Sequence, residues 1–75
     1  MLKLVMDSRT AARMSEDLIL EEDLAQAIET CEKEQKFLVD RASGHRICHL
    51  KIGYVTYWTE YADHGGDARV IYNAY

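Results

Sequence analysis

Proline is absent from this 75-residue chain. No position is therefore barred from donating a ladder hydrogen bond, and nothing forces a break inside a strand. Cysteine is nearly absent too: Cys31 and Cys48 are too few for a disulfide framework. With no secretion signal in view, both are expected as reduced thiols. No apolar run approaches the roughly 20 residues that span a bilayer. The opening MLKLVM is too short for a secretory h-region and no small-residue cleavage pattern follows it. A soluble cytoplasmic protein with no membrane partner is the expectation. Clustered Lys and Arg are also missing. Residues 1–35 hold nine acids and four bases (net −5), and residues 36–75 hold four acids and five bases (net +1). Neither half carries the basic footprint of a nucleic-acid binder.

The chain has enough apolar residues for one modest core, hence one domain. Its organising stretch is His45 to Tyr61, HRICHLKIGYVTYWTEY, rich in the residue types that fit a pleated surface. Gly53 at the first central position of a two-residue loop suits a type II′ turn. The turn sets the register: Ile52 opposite Val55, Leu50 opposite Tyr57, Cys48 opposite Thr59 and Arg46 opposite Tyr61. One face then carries Cys48, Leu50, Ile52, Val55 and Tyr57. The other carries Ile47, His49, Lys51, Thr56, Trp58 and Glu60. A slip of one residue would exchange the two sets.

Around that hairpin, Leu20, Leu24, Ala27, Ile28 and Cys31 recur at helical spacing, with Glu22, Gln26, Glu29 and Lys33 outward. Glu21, Glu22 and Asp23 occupy the first helical turn, where carboxylates complement the helix dipole. Leu18 to Leu20 reads as an extended lead-in. Lys36 to Asp40 forms a short strand, and the loop Arg41–Gly44 pairs Asp40 with His45 and Phe37 with Cys48. Asp63 to Asp67 is the strongest loop signal. A four-residue loop, His64 to Asp67, pairs Tyr61 with Val70 and Thr59 with Tyr72; a five-residue loop would invert the last strand.

The expected fold is thus α+β, one amphipathic helix packed on one face of a four-stranded antiparallel β-meander. The helix stripe is expected on Phe37, Val39, Cys48, Leu50, Ile52, Val55, Tyr57, Val70 and Tyr72. Residues 18–75 make this single domain. Residues 1–17 leave several readings open: Met1 to Met6 as a short strand interrupted by Asp7 to Thr10, Ala11 to Met14 as a helical turn, the whole as a mobile or disordered N-terminal arm, or Leu2, Leu4 and Met6 docked on the sheet.

Chemistry is harder to find. The run His45-Arg46-Ile47-Cys48-His49 lacks the Cys-x-x-Cys-His of haem attachment. On a strand, His45 and His49 stand roughly 13 Å apart at about 3.3 Å per residue, with Cys48 on the opposite face. That spread defeats a shared zinc, whose ligands converge to about 2.0–2.3 Å. No Gly-x-Ser-x-Gly elbow and no phosphate-binding glycine loop occurs. No catalytic residue, metal ligand or cofactor is assigned, and an enzyme acting through His49 and Glu60 is the least supported reading.

The informative surface is the second sheet face, expected to show Leu38, Ile47, His49, Trp58, Glu60, Ile71, Asn73 and Tyr75. A single helix cannot cover both sides of a sheet, and a wet side is normally polar. Large apolar and aromatic residues there mark a contact site. Three occupants are open: residues 1–20 folded back, a protein partner or second copy, or a small ligand.

The segments Gly44-His45, His49-Leu50, Ile52-Gly53, Thr56-Tyr57-Trp58, Glu60-Tyr61 and Asn73-Ala74-Tyr75 give residues 18–75 a further reading. There the chain resembles a family of small uncharacterised bacterial proteins found alone or near flavin and iron–sulfur oxidoreductases of the pyridine nucleotide-disulfide type. The resemblance implies an accessory role beside a redox enzyme. Two function classes follow: a non-catalytic interaction module using the Trp58 face, or a redox- or metal-linked accessory protein using Cys31, Cys48 and the histidines.

Overall fold

A computed structural model describes residues Leu2–Tyr75. Seven elements follow one another: β1 (Lys3–Val5), α1 (Ser8–Glu16), α2 (Glu21–Glu34), β2 (Leu38–Val39), β3 (Arg46–Ile52), β4 (Val55–Asp63) and β5 (Ala68–Ala74). The fold is α+β with two helices and a five-stranded mixed sheet in the order β1-β5-β4-β3-β2.

The hairpin at Gly53 has the register its turn dictates, from Ile52 opposite Val55 to Arg46 opposite Tyr61. Gly53 has φ +64° while Tyr54 is not among the residues with positive φ, the backbone signature of a type II′ turn. Leu38 pairs with Ile47 and Val39 with Arg46, so β2 also falls where the Arg41–Gly44 loop puts it.

Two expectations are corrected. The first concerns the N-terminus, where the docked alternative for Leu2, Leu4 and Met6 is the one observed, but as a strand and a second helix. β1 runs parallel to β5, with Lys3 opposite Ala68 and Val5 opposite Val70, and becomes the fifth strand. α1 begins at Asp7, whose side chain accepts the Thr10 N–H at 2.8 Å, and this bond holds the Asp7 carboxyl below its usual range. Met14 of α1 is buried with Leu24 and Ile28 of α2. Both helices therefore lie on one face of the sheet, with Leu2, Leu4 and Met6 packed against the same core. The meander of four antiparallel strands under one helix was too small an architecture.

The second correction concerns β5. Tyr61 pairs with Ile71, Ala62 with Val70 and Asp63 with Arg69, so the loop has five residues and not four. A β-bulge between Glu60 and Tyr61 then sets Glu60 opposite Asn73 and Thr59 opposite Ala74, against the expected Thr59–Tyr72 pair. Ile71 consequently lies in the core at 2% exposure, against its expected place beside Trp58. Tyr72, expected under the helix, is exposed on the other side, stacked on His45. Val70 is likewise only partly buried.

The core itself comprises Met14, Leu24, Ile28, Cys31, Cys48, Tyr61, Ile71 and Ala74. Phe37, Leu50 and Tyr57 pack at its margin as expected. Val39 and Val55 share that face but sit at the edge strand and the hairpin end, and both stay exposed. Leu20 caps α2 and remains exposed instead of joining the buried stripe.

Neither helix ends on glycine. Leu18 (φ +57°) and Gln35 (φ +56°) take left-handed conformations. Ile19 N–H bonds Met14 O and Leu18 N–H bonds Ser15 O, closing a Schellman motif; Lys36 to Cys31 and Gln35 to Glu32 do the same for α2. Leu18 is thus the stop of α1, not part of an extended lead-in. The residue is 84% exposed, so the left-handed backbone is strained with little packing in return. Leu18→Gly is expected to raise unfolding free energy by about 0.5–1 kcal/mol, read from the urea midpoint at constant slope.

Candidate functional site: the open sheet face

The face opposite the helices is built by period-2 alternation along β3 and β4. Across the central pair, His49 stacks on Trp58 with ring centroids 4.4 Å apart. Trp58 in turn lies parallel to Tyr75, centroids 6.4 Å apart. The chain holds Tyr75 there by a reciprocal pair of backbone bonds, Trp58 N–H to Tyr75 O at 2.7 Å and Tyr75 N–H to Trp58 O at 2.9 Å. A second stack stands beside the first: His45 on Tyr72, centroids 3.9 Å apart and nearly parallel. Glu60 orients that imidazole, its Oε2 lying 2.8 Å from His45 Nδ1.

Of the residues expected on this face, Leu38, His49, Trp58 and Tyr75 lie there exposed, and Ile47 and Glu60 lie there half-buried. Asn73 arrives opposite Glu60 because of the bulge. Ile71 does not belong to the set. His45 and Tyr72 are additions; pairing His45 with Asp40 placed it on this side, but nothing in the spacing marked it as the partner of Glu60. Glu60 thus meets His45, while His49 lies against Trp58, its partner in the Gly53 register.

Among the described residues no helix covers these rings. Trp58 is 39% exposed, Tyr75 60% and Leu38 71%. Residues 2–20 pack on the other face or extend the sheet edge, so the first of the three possible occupants is excluded for the described residues. Between the α2–β2 connection and the face lies a groove of about 340 Å³ lined by Phe37, Leu38, Ile47, His49 and Trp58, with Gln35 and Lys36 at one side.

The helix side holds the charged network. Glu32 accepts from Arg69 (2.9 and 3.0 Å) and from Arg46 (3.2 Å), and Arg46 also reaches both carboxylate oxygens of Asp63 at 3.2 Å. The Arg69 guanidinium holds the Glu32 carboxyl below its ordinary range against the opposing effect of burial. Arg46 additionally lies over the Phe37 ring, 5.1 Å from its centroid. The Tyr61 hydroxyl is buried beside Glu32 without a hydrogen bond of acceptable geometry, and burial, reinforced by that carboxylate, pushes its pKa up. Every charged member of this network has a partner. It ties the end of α2 to β3, β4 and β5.

Cys31 and Cys48 are both buried in the helix–sheet core. The Cys31 thiol donates to the His49 carbonyl at 3.4 Å. Burial, reinforced by the neighbouring Cys31 thiol, drives the Cys48 pKa far up, which suppresses the reactive thiolate. Among the described residues, no group of three or more His, Cys, Asp or Glu side chains is placed to hold a metal ion. Nor is any helix among them long and apolar enough to cross a membrane.

Fold and site together define a small α+β domain with one helix-covered face and one open aromatic face. Comparison of the chain with protein-family models, curated proteins and solved structures finds no match.

Proposed function

We propose that this protein is a non-catalytic interaction module that engages a protein partner through the face centred on Trp58. The observation that supports this reading is the half-exposed ladder His49–Trp58–Tyr75 with Leu38 beside it, left uncovered by both helices. Burying a large aromatic side chain stabilises by about 1.5–3 kcal/mol, and aromatic residues dominate interface energetics. A monomer that leaves such rings half wet forgoes much of that gain, and a partner recovers it. The bacterial resemblance makes an oxidoreductase component the first partner to try.

Trp58→Ala tests the reading. Because the side chain is only partly buried in the free domain, the substitution is expected to change unfolding free energy by less than about 1.5 kcal/mol. In a complex, the same substitution should cost about 2 kcal/mol or more, a loss of roughly thirtyfold in affinity. Urea denaturation gives the first quantity, and titration against the candidate partner the second. A Trp58→Ala chain that is unfolded, from a wild type that stays monomeric at high concentration, would make the face core and end the proposal.

A further inference from the structure

β3 is paired along its whole length with β4, but with β2 only at Arg46 and Ile47. The two-residue turn makes Ile52–Val55 a hydrogen-bonded pair, so Cys48, Leu50 and Ile52 aim their peptide groups at β4. His49 and Lys51 aim theirs outward. Of these outward groups, the His49 carbonyl takes the Cys31 thiol. Among the described residues no strand meets the others. Where β2 stops, the chain bends away to α2 through the Lys36 N–H to Cys31 O bond at 2.8 Å. This departure opens the groove walled by Phe37, Leu38, Ile47 and Trp58 directly beside the unpaired edge.

Charge discriminates among occupants. In a chain of net charge −4, no acidic side chain lines this groove. Lys36 stands at its rim, and Lys51 follows His49 on the same side of β3. Glu34 reaches Lys36 at 3.2 Å, but both side chains are largely in water, where such a pair is weak. A second copy adding its own β3 edge would bring these lysines together, and edge lysines oppose self-pairing for that reason. An acidic strand reverses the sign.

We infer that the open edge at His49–Lys51 takes an extended acidic segment of a partner protein as an added strand. The segment carries an apolar side chain in the Phe37–Trp58 groove and a carboxylate two residues away, opposite Lys51. Main-chain bonds to the His49 N–H and to the Lys51 N–H and carbonyl supply affinity, the His49 carbonyl being held by Cys31, and the groove and lysine supply selection. This deepens the interaction-module reading and rests on it.

The test titrates the ¹⁵N-labelled 75-residue chain with a blocked heptapeptide, Thr-Val-Thr-Glu-Thr-Glu-Thr, and with the same peptide bearing Lys for both Glu. Amide shifts and slowed hydrogen exchange at His49 and Lys51 are expected with the acidic peptide, at about tenfold tighter binding than the basic one. Lys51→Glu should reverse that preference while the rest of the spectrum stays unchanged. Equal binding of both peptides, or no change at His49 and Lys51 at millimolar concentration, overturns the proposal. Shifts confined to Trp58 and Tyr75 overturn the edge while leaving the face reading intact. A reversible dimer in sedimentation that Lys51→Glu alters hands the edge to a second copy and also overturns it. Failure of the face reading is read separately, from Trp58→Ala.

Discussion

Ile71→Ala is expected to remove about 2–5 kcal/mol of stability, the range for truncating a fully buried aliphatic side chain. Ile71 is 2% exposed, on the side of β5 that packs with Met14, Leu24 and Ile28 of the helices. A domain of this length holds only about 4–11 kcal/mol in total, at roughly 0.05–0.15 kcal/mol per residue. The variant should therefore be close to unfolding at room temperature. Val70→Ala, one position earlier and half-exposed, should cost less than about 1 kcal/mol. The contrast is a direct assay of the β5 register, because a four-residue loop before β5 would reverse the order of the two effects. Urea denaturation of both variants decides it.

Glu32→Gln carries the second large effect, expected at about 1–3 kcal/mol at neutral pH. Glu32 is the acceptor shared by Arg46 and Arg69, and its side chain is 20% exposed. Breaking a fully buried ion pair costs about 3–5 kcal/mol; the solvent at the rim of this one justifies the lower figure. The variant also has a pH signature. The folded protein holds the Glu32 carboxyl below its ordinary value of 4.5, chiefly through Arg69. A depressed carboxyl contributes stability that is fully present above the unfolded value and is lost as pH falls through the folded one. The gap between wild type and Glu32→Gln should accordingly be full at neutral pH, begin to close below about pH 4.5, and vanish in stronger acid. A gap that is constant down to acid would mean that the guanidinium contacts do not depend on the Glu32 charge.

Much of the central hairpin was legible because its information is local. Gly53 determines a turn, the turn determines a register, and the register determines which side each residue between Arg46 and Tyr61 takes. The α2 stripe was legible for the same reason, since Leu24, Ala27, Ile28 and Cys31 repeat within one element. Leu18 and Gln35 were not legible as helix stops, because neither is a residue that normally accepts a left-handed backbone. The β5 register failed at the loop that follows Asp63. Two adjacent glycines permit several loop lengths at nearly equal cost, and the bulge that repairs the pairing has no mark in the sequence. Asn73 and Tyr75 reached the open face only because that bulge undid the shift that sent Ile71 to the core.

β1 and α1 lie at the far end of the same distinction. Three residues of strand carry almost no periodicity, and their pairing with β5 joins segments 65 positions apart, Lys3 with Ala68. The composition and spacing of the chain determined, unaided, an α+β domain whose central hairpin separates Cys48 from Trp58. Tertiary structure alone decided that both helices share the cysteine side, so that the tryptophan side stays bare. The physical reason is that a turn is specified by its own backbone. Which face of a sheet receives a distant helix depends on where the most apolar area can be removed from water, and only the assembled sheet sets that.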